Sequence, residues 1–278
     1  MYFKKKNIGI MQGRLSPLYD NKIQSFPKNH WQNEFKKIRE LKINMMEWTL
    51  DHKEIVKNPI NTLDGKKQIV SLKKKYKIDI NSLTGDCFMQ KPFWKQKGKK
   101  KDELINIFRL ILQNSSGIGV KKIILPLVDN GSIKNNQQLK ILISTLKKFI
   151  PILKKNKQKI LFELNFKPRK ALSFIKKFDK NYFGINYDIG NSSSLGFQAK
   201  DEIKTYGNYI KNVHIKDRHL RGTTVRLGRG GADFHEVFIN LKKIKYKGNF
   251  ILQTARAKKG QHKKEISINL SYLQKWFY

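Results

Sequence analysis

Cysteine is almost absent. Cys87 stands alone in 278 residues, which excludes an internal disulfide and any zinc site built from several thiolates. Acidic residues are scarce, 21 against 59 lysines and arginines, for a formal net charge of +38. No apolar run approaches the roughly 18–20 residues needed to cross a bilayer, so no membrane partner is expected. The start, MYFKKKNIGIMQGRL, is basic but lacks the apolar stretch of about 7–15 residues that a secretory signal needs behind it. There is no Pro/Gly/Ser-rich linker and no abrupt shift in composition. Hydrophobic residues make up 39% of the chain and are spread along it, enough for a sizeable core, which excludes a disordered chain. A cytoplasmic globular protein with one domain over 1–278 is the expectation.

The charge is mostly lysine. There are 50 Lys and 9 Arg, with 33 Ile, 23 Asn and only 5 Ala, a pattern that follows A/T-rich codons. The lysines run the whole length (73–77, 97–101, 154–159, 242–247) instead of gathering in one stripe with interleaved aromatics. They are therefore read as a solvated surface, with weak, salt-sensitive attraction to polyanions and no specific nucleic acid.

What is present is alternation. Short runs rich in Ile, Val, Leu and Phe recur at 7–12, 43–49, 78–84, 121–128, 159–165, 183–189, 210–216 and 249–254. Helical periodicity follows at 100–114, 136–154, 234–244 and 261–277; within 136–154, Leu139, Leu142, Ile143, Leu146, Phe149, Ile150 and Leu153 share one stripe. Eight strands each followed by a helix fit the length of about 250 residues of a (β/α)8 TIM barrel. An open doubly wound sheet would carry a glycine-rich turn after its first strand, where this chain has MQGRLSP.

In such a barrel the C-terminal strand ends share one mouth. Taken in order they offer Gln12 and Arg14, Glu47, Asp86, Glu163 in ILFELNF, Asp188 in NYDIGN, His214 and Lys216 in NVHIKDR, and Gln253 in FILQTAR. An ionisable group inside an apolar strand costs several kcal/mol unless it is paired or metal-bound. Two carboxylates and an imidazole on successive strands, with the Gln253 carbonyl nearby, make a donor set for one divalent cation: manganese, magnesium or zinc. Each of the three residues taken alone also fits a plain structural role in the core.

These strand ends, together with IGIMQGRLSP (8–17), EW (47–48), VRLGRGGADF (225–234) and ILQTAR (251–256), resemble the xylose-isomerase-like barrel superfamily, in particular its sugar phosphate isomerase/epimerase branch. The resemblance covers nearly the whole chain. It implies one metal held through Glu163, Asp188, His214 and position 253, where the superfamily commonly has Glu and this chain has Gln. An amide cannot shuttle protons near neutral pH, so Gln253 can ligate but not act as a base, and Glu163 remains. One base suffices for aldose–ketose isomerisation through an enediol, whereas epimerisation needs a second, for which Glu47 and Asp86 are the replacements.

Seven of the nine arginines, Arg14, Arg169, Arg218, Arg221, Arg226, Arg229 and Arg256, fall on expected mouth segments, which points to a phosphate or carboxylate on the substrate. The stretch Gly228, Gly230, Gly231 could lend backbone N–H groups to that anion, or only turn the chain into a helix. The substrate expected is a small anionic sugar, bound by Gln12, Arg14, Glu47, Asp86, Lys216, Arg218, Arg226, Arg229 and Arg256; a homodimer is left open. Two alternatives stand beside isomerisation or epimerisation: a dehydratase such as the inosose dehydratases of this superfamily, or a non-catalytic member. An abasic-site endonuclease similar to endonuclease IV is disfavoured, because three zinc ions need more histidines than the mouth offers.

Overall fold

A computed structural model describes residues 3–278. Eight parallel strands close into a barrel: β1 (Ile8–Met11), β2 (Met45–Thr49), β3 (Asp79–Thr84), β4 (Lys122–Leu127), β5 (Lys159–Leu164), β6 (Phe183–Asp188), β7 (Ile210–Ile215) and β10 (Asn249–Leu252), with β10 hydrogen-bonded to β1. A small antiparallel hairpin, β8 (Asp217–Arg218) with β9 (Thr224–Val225), stands between β7 and β10. All eight barrel strands lie within one or two residues of the runs expected for them.

Alternation along each strand decides which side chains face inward. Ile8, Ile10, Met46, Trp48, Ile160, Phe162, Ile185, Tyr187, Val213, Ile215, Phe250 and Leu252 belong to the main apolar core, which packs the strands on their helices. The intervening residues face the other way. Gly9, Met11, Met45 and Ile251 fill the barrel axis, where a Cβ on Gly9 would lie 2.7 Å from Ile251 Cδ1. Further up the same faces come Glu47, Glu163, Asn186, Asp188, Asn212, His214, Lys216 and Gln253. The period of two thus delivers these polar groups to one interior.

Most expected helices form, among them α4 (Gly98–Gly117), α10 (Phe234–Lys243) and α11 (His262–Leu273). The stretch 136–154 is a correction: it is two helices, α5 (Asn136–Lys147) and α6 (Ile150–Asn156). Pro151 sits in the first turn of the second, and a proline there has no N–H for the preceding turn and crowds its carbonyl. The apolar stripe runs through the break, which hid it. Among the described residues, no helix is long and apolar enough to cross a membrane.

Candidate active site

Glu163 lies one residue before the end of β5, Asp188 closes β6 and His214 lies near the end of β7, and all three are buried. One ligand atom from each falls within 4.8 Å of the others. The Nδ1 of His214 is 3.5 Å from Glu163 Oε2 and 4.0 Å from Asp188 Oδ2. Two donors about 2.1 Å from a common ion lie about 3–4.2 Å apart, so the two imidazole–carboxylate distances and the oxygen-rich chemistry fit a divalent cation.

Each member is held from behind. Asp188 caps α8 (Ile189–Ser194), its Oδ1 accepting the N–H of Asn191 at 2.8 Å, which leaves Oδ2 for the site. Glu163 accepts from Asn191 Nδ2 at 2.7 Å and Asn186 Nδ2 at 3.1 Å. Arg218 donates to the Asn191 carbonyl oxygen at 2.9 Å, so it orients Glu163 through Asn191. The Nε2 of His214 is 2.7 Å from Glu47 Oε1. That contact turns Nδ1 toward Glu163 and Asp188, the arrangement in which a carboxylate fixes the tautomer and tilt of a metal-binding ring.

Glu47 is fully buried, accepting also from Thr84 Oγ1 at 2.5 Å and Asn212 Nδ2 at 3.1 Å. It sits beneath the donor cluster, its oxygens spent on protein partners. Burial disfavours charge on both His214 and Glu47, but their mutual attraction outweighs it. With Glu163 adding to the pull, the imidazole is pushed well above its ordinary value and the Glu47 carboxyl is held below its own.

Lys216 and Gln253 complete this side of the mouth. The Lys216 ammonium lies 2.8 Å from Asp188 Oδ2 and 3.3 Å from the Gln253 carbonyl oxygen. Across from them stand Gln12, Arg14 and Asp86. The Gln12 carbonyl oxygen accepts from Thr49 N at 3.1 Å, while its Nε2 has no partner. Arg14 donates to Gln24 Oε1 at 2.6 Å and to the Ile23 carbonyl at 3.3 Å, leaving Nε unpartnered. Asp86 Oδ2 is likewise buried without a partner. Burial, reinforced by the charges of Asp51 and Glu163, pushes the Asp86 carboxyl up to about 8. Burial and the nearby Arg256 lower Arg14 to about 9. Buried polar atoms left unmatched are costly, and three of them around one mouth mark a place where a polar ligand would supply the missing partners.

The remaining arginines are differently employed. Arg256 donates to the carbonyls of Gly13 and Ser16. Glu34 accepts from Gly13 N, Leu15 N and Ser16 Oγ, so the loop after β1 is clamped from both sides. Gly13 has φ +93°, and a Cβ would meet the Ser25 carbonyl at 2.9 Å, which explains the glycine in MQGRLSP. Arg226 forms a two-pronged pair with Glu265. Arg229 and Arg221 are exposed on the rim, and Arg169 lies in α7 (Pro168–Ile175). The glycine stretch follows the second of its two readings, a turn into the helix. The amides of Gly228, Gly230 and Ala232 all donate to the buried Asp217 carboxylate, and that of Gly231 to the Arg218 carbonyl, so none is free for an anion.

Sequence reasoning missed Asn186, Asn191 and Asn212, which orient the cluster. For Asn186 and Asn212 the signal was parity: in NYD and NVH the asparagine sits two residues before the ionisable group, hence on the same face; Asn191, in the first turn of α8, carries no such signal.

A family model described as xylose isomerase-like TIM barrel matches residues 35–276, and the chain belongs to that family. A stretch of 101 residues, 32% of this chain, is 31% identical to the putative L-ribulose-5-phosphate 3-epimerase SgbU of Escherichia coli K12. The chain spans about a third of the length of the curated relatives it matches, 36% and 35%. Among solved structures, a xylose isomerase domain protein from Planctomyces limnophilus superposes with a TM-score of 0.75 at 16% identity, covering 99% of this chain and 98% of that one. D-psicose 3-epimerase with D-tagatose, from Clostridium cellulolyticum H10, gives 0.76 at 12%, covering 97% and 98%. At these identities the structural likeness speaks for the fold.

Proposed function

We propose that the chain is a divalent-metal-dependent isomerase or epimerase of a small sugar or sugar phosphate, working by proton transfer through an enediolate with Glu163 as the base. The observation that carries this reading is the convergence of Glu163, Asp188 and His214 Nδ1 on one point, beside a mouth ringed by unpartnered polar atoms. Glu163, Asp188 and His214 would hold the cation, with the Gln253 carbonyl as a neutral fourth donor. When bound, manganese, magnesium or zinc supplies polarisation of the substrate carbonyl and countercharge for the oxyanion that develops. Glu163 takes the proton from the adjacent carbon, its oxygens aimed by Asn186 and Asn191. Gln12 Nε2 and Arg14 Nε donate to substrate oxygens. Arg218 and Glu47 act by positioning Glu163 and His214. Arg256 supports the loop that carries Arg14. Arg226 and Arg229 stand at the outer rim, where a phosphate on a longer substrate would reach.

A second reading has its own observation. Glu47 is fully occupied, whereas Asp86 keeps a free oxygen and holds its proton up to about pH 8. That favours Asp86 as the second acid of a two-base epimerisation. Both readings are tested by incubating metal-loaded protein in D2O with a panel of aldoses, ketoses and their phosphates. Deuterium should enter beside the carbonyl, and Glu163→Gln should reduce incorporation by about a thousandfold, within the usual range for a lost general base. If Asp86→Asn keeps exchange but loses inversion, the two-base reading stands; aldose–ketose conversion without inversion, unaffected by Asp86→Asn, leaves the work to one base, and inversion that survives Asp86→Asn removes Asp86 as the second acid. No incorporation into any sugar would contradict the proposed activity.

A further inference from the structure

The Asp188 carboxylate has one oxygen to give, since Oδ1 is committed to the N–H of Asn191. The other, Oδ2, is the one turned toward His214 Nδ1, and the Lys216 ammonium already sits on it at 2.8 Å. Among the described residues, Lys216 has no other acid within hydrogen-bonding reach. Its second partner is the Gln253 carbonyl oxygen at 3.3 Å, a neutral group where the family resemblance leads one to expect a carboxylate. The stem of Lys216 cannot swing freely, because it packs on the first turn of α8, where a Cβ at Gly190 would lie 2.6 Å from Lys216 Cγ. Only the outer bonds can carry the ammonium away from Asp188. The site therefore contains its own cation, which neutralises one of the two carboxylates a metal would need.

From this placement we infer that Lys216 and a divalent cation compete for Asp188 Oδ2, so that loading the site requires the Lys216 ammonium to leave it. The inference rests on the metal reading above and adds to it a named internal competitor. Two like charges cannot share one carboxylate oxygen in a buried setting without a large electrostatic penalty. A third carboxylate at position 253 would give the displaced ammonium an anionic partner nearby, and Gln253 does not. The metal is consequently held less tightly than the three donors alone would allow.

The test is calorimetric titration with manganese(II), without any substrate. Lys216→Met, which keeps the stem and removes the charge, should bind at least tenfold more tightly than the unmodified chain. Lys242→Met, on the outer face of α10, controls for net charge and should change nothing. Unchanged or weaker binding in Lys216→Met overturns the competition while leaving the metal reading intact. Absence of binding in both the unmodified chain and Lys216→Met overturns the two together. Should Lys216→Met fail to fold, the unmodified protein decides: acetylation of Lys216, followed by mass spectrometry, should speed up several-fold when manganese is added. An unaltered rate contradicts the inference.

Discussion

His214 has two ring nitrogens, and each faces an acid. On one side Glu47 receives Nε2, and on the other Nδ1 looks toward Glu163 and Asp188. Glu47 therefore governs how well the ring can ligate. Glu47→Gln keeps the shape but removes the negative charge, and cation affinity should fall by about 10–100-fold, as measured by competition with a metal-sensitive dye; unchanged affinity would remove Glu47 from that role. Asp86 makes a prediction of opposite character, about stability. Its folded pKa of about 8 lies above its ordinary 3.8, so the folded state holds a proton that the unfolded chain gives up. That contribution is complete below about pH 4 and is lost as pH rises through 8. Asp86→Asn should flatten this part of the pH profile of chemical denaturation, and an identical slope in the two proteins would rule the shift out. Glu163, Asp188 and His214 were legible in the sequence because ionisable groups interrupt apolar strands. The orienting asparagines were not, since 23 asparagines give no contrast until strand parity singles out Asn186 and Asn212, and Asn191 lies in α8, where parity does not apply.

Strand ends and the loops they carry divide the labour. Asp217, fully buried just beyond β7, collects the amides of Gly228, Gly230 and Ala232 and thereby folds the segment leading into α10. Asp217→Ala would leave those donors unmatched, at a cost of about 3 kcal/mol. A fall in thermal midpoint without loss of any residual metal binding would match that role, and an unaltered midpoint would contradict it. The same segment shows where sequence reading stops. A glycine cluster before a helix looks alike whether its amides face a ligand or an internal carboxylate, and only the position of Asp217 separates the two. Likewise the arginines of the mouth were visible as a set, but Arg256 is spent on loop carbonyls and Arg226 on Glu265. Composition cannot show which guanidinium has already found its partner. Strand positions fared better, because each buried strand is bounded by polar or turn residues, whereas the break at Pro151 lies inside a continuous apolar stripe.

For the molecule as a whole, +38 surrounds an interior that is locally acidic. The lysines lie mostly at exposed surface positions, while Glu47, Asp86, Glu163 and Asp188 are buried within the barrel mouth. The surface field favours loose, salt-dependent association with polyanions, and the mouth concentrates the opposite sign where a cation would sit. The barrel itself was legible from the alternation of eight strands with helices, and the family match over 35–276 agrees with it. Chemistry is a separate matter, since one barrel hosts many reactions; here it depends on whether Glu163, Asp188 and His214 meet at a shared ion. Electron paramagnetic resonance of manganese(II) titrated into the purified protein addresses this most directly. The account predicts saturation at one ion per chain, abolished by Asp188→Asn and by His214→Ala. Manganese that stays free at every protein concentration, or binding that survives both substitutions, would contradict it.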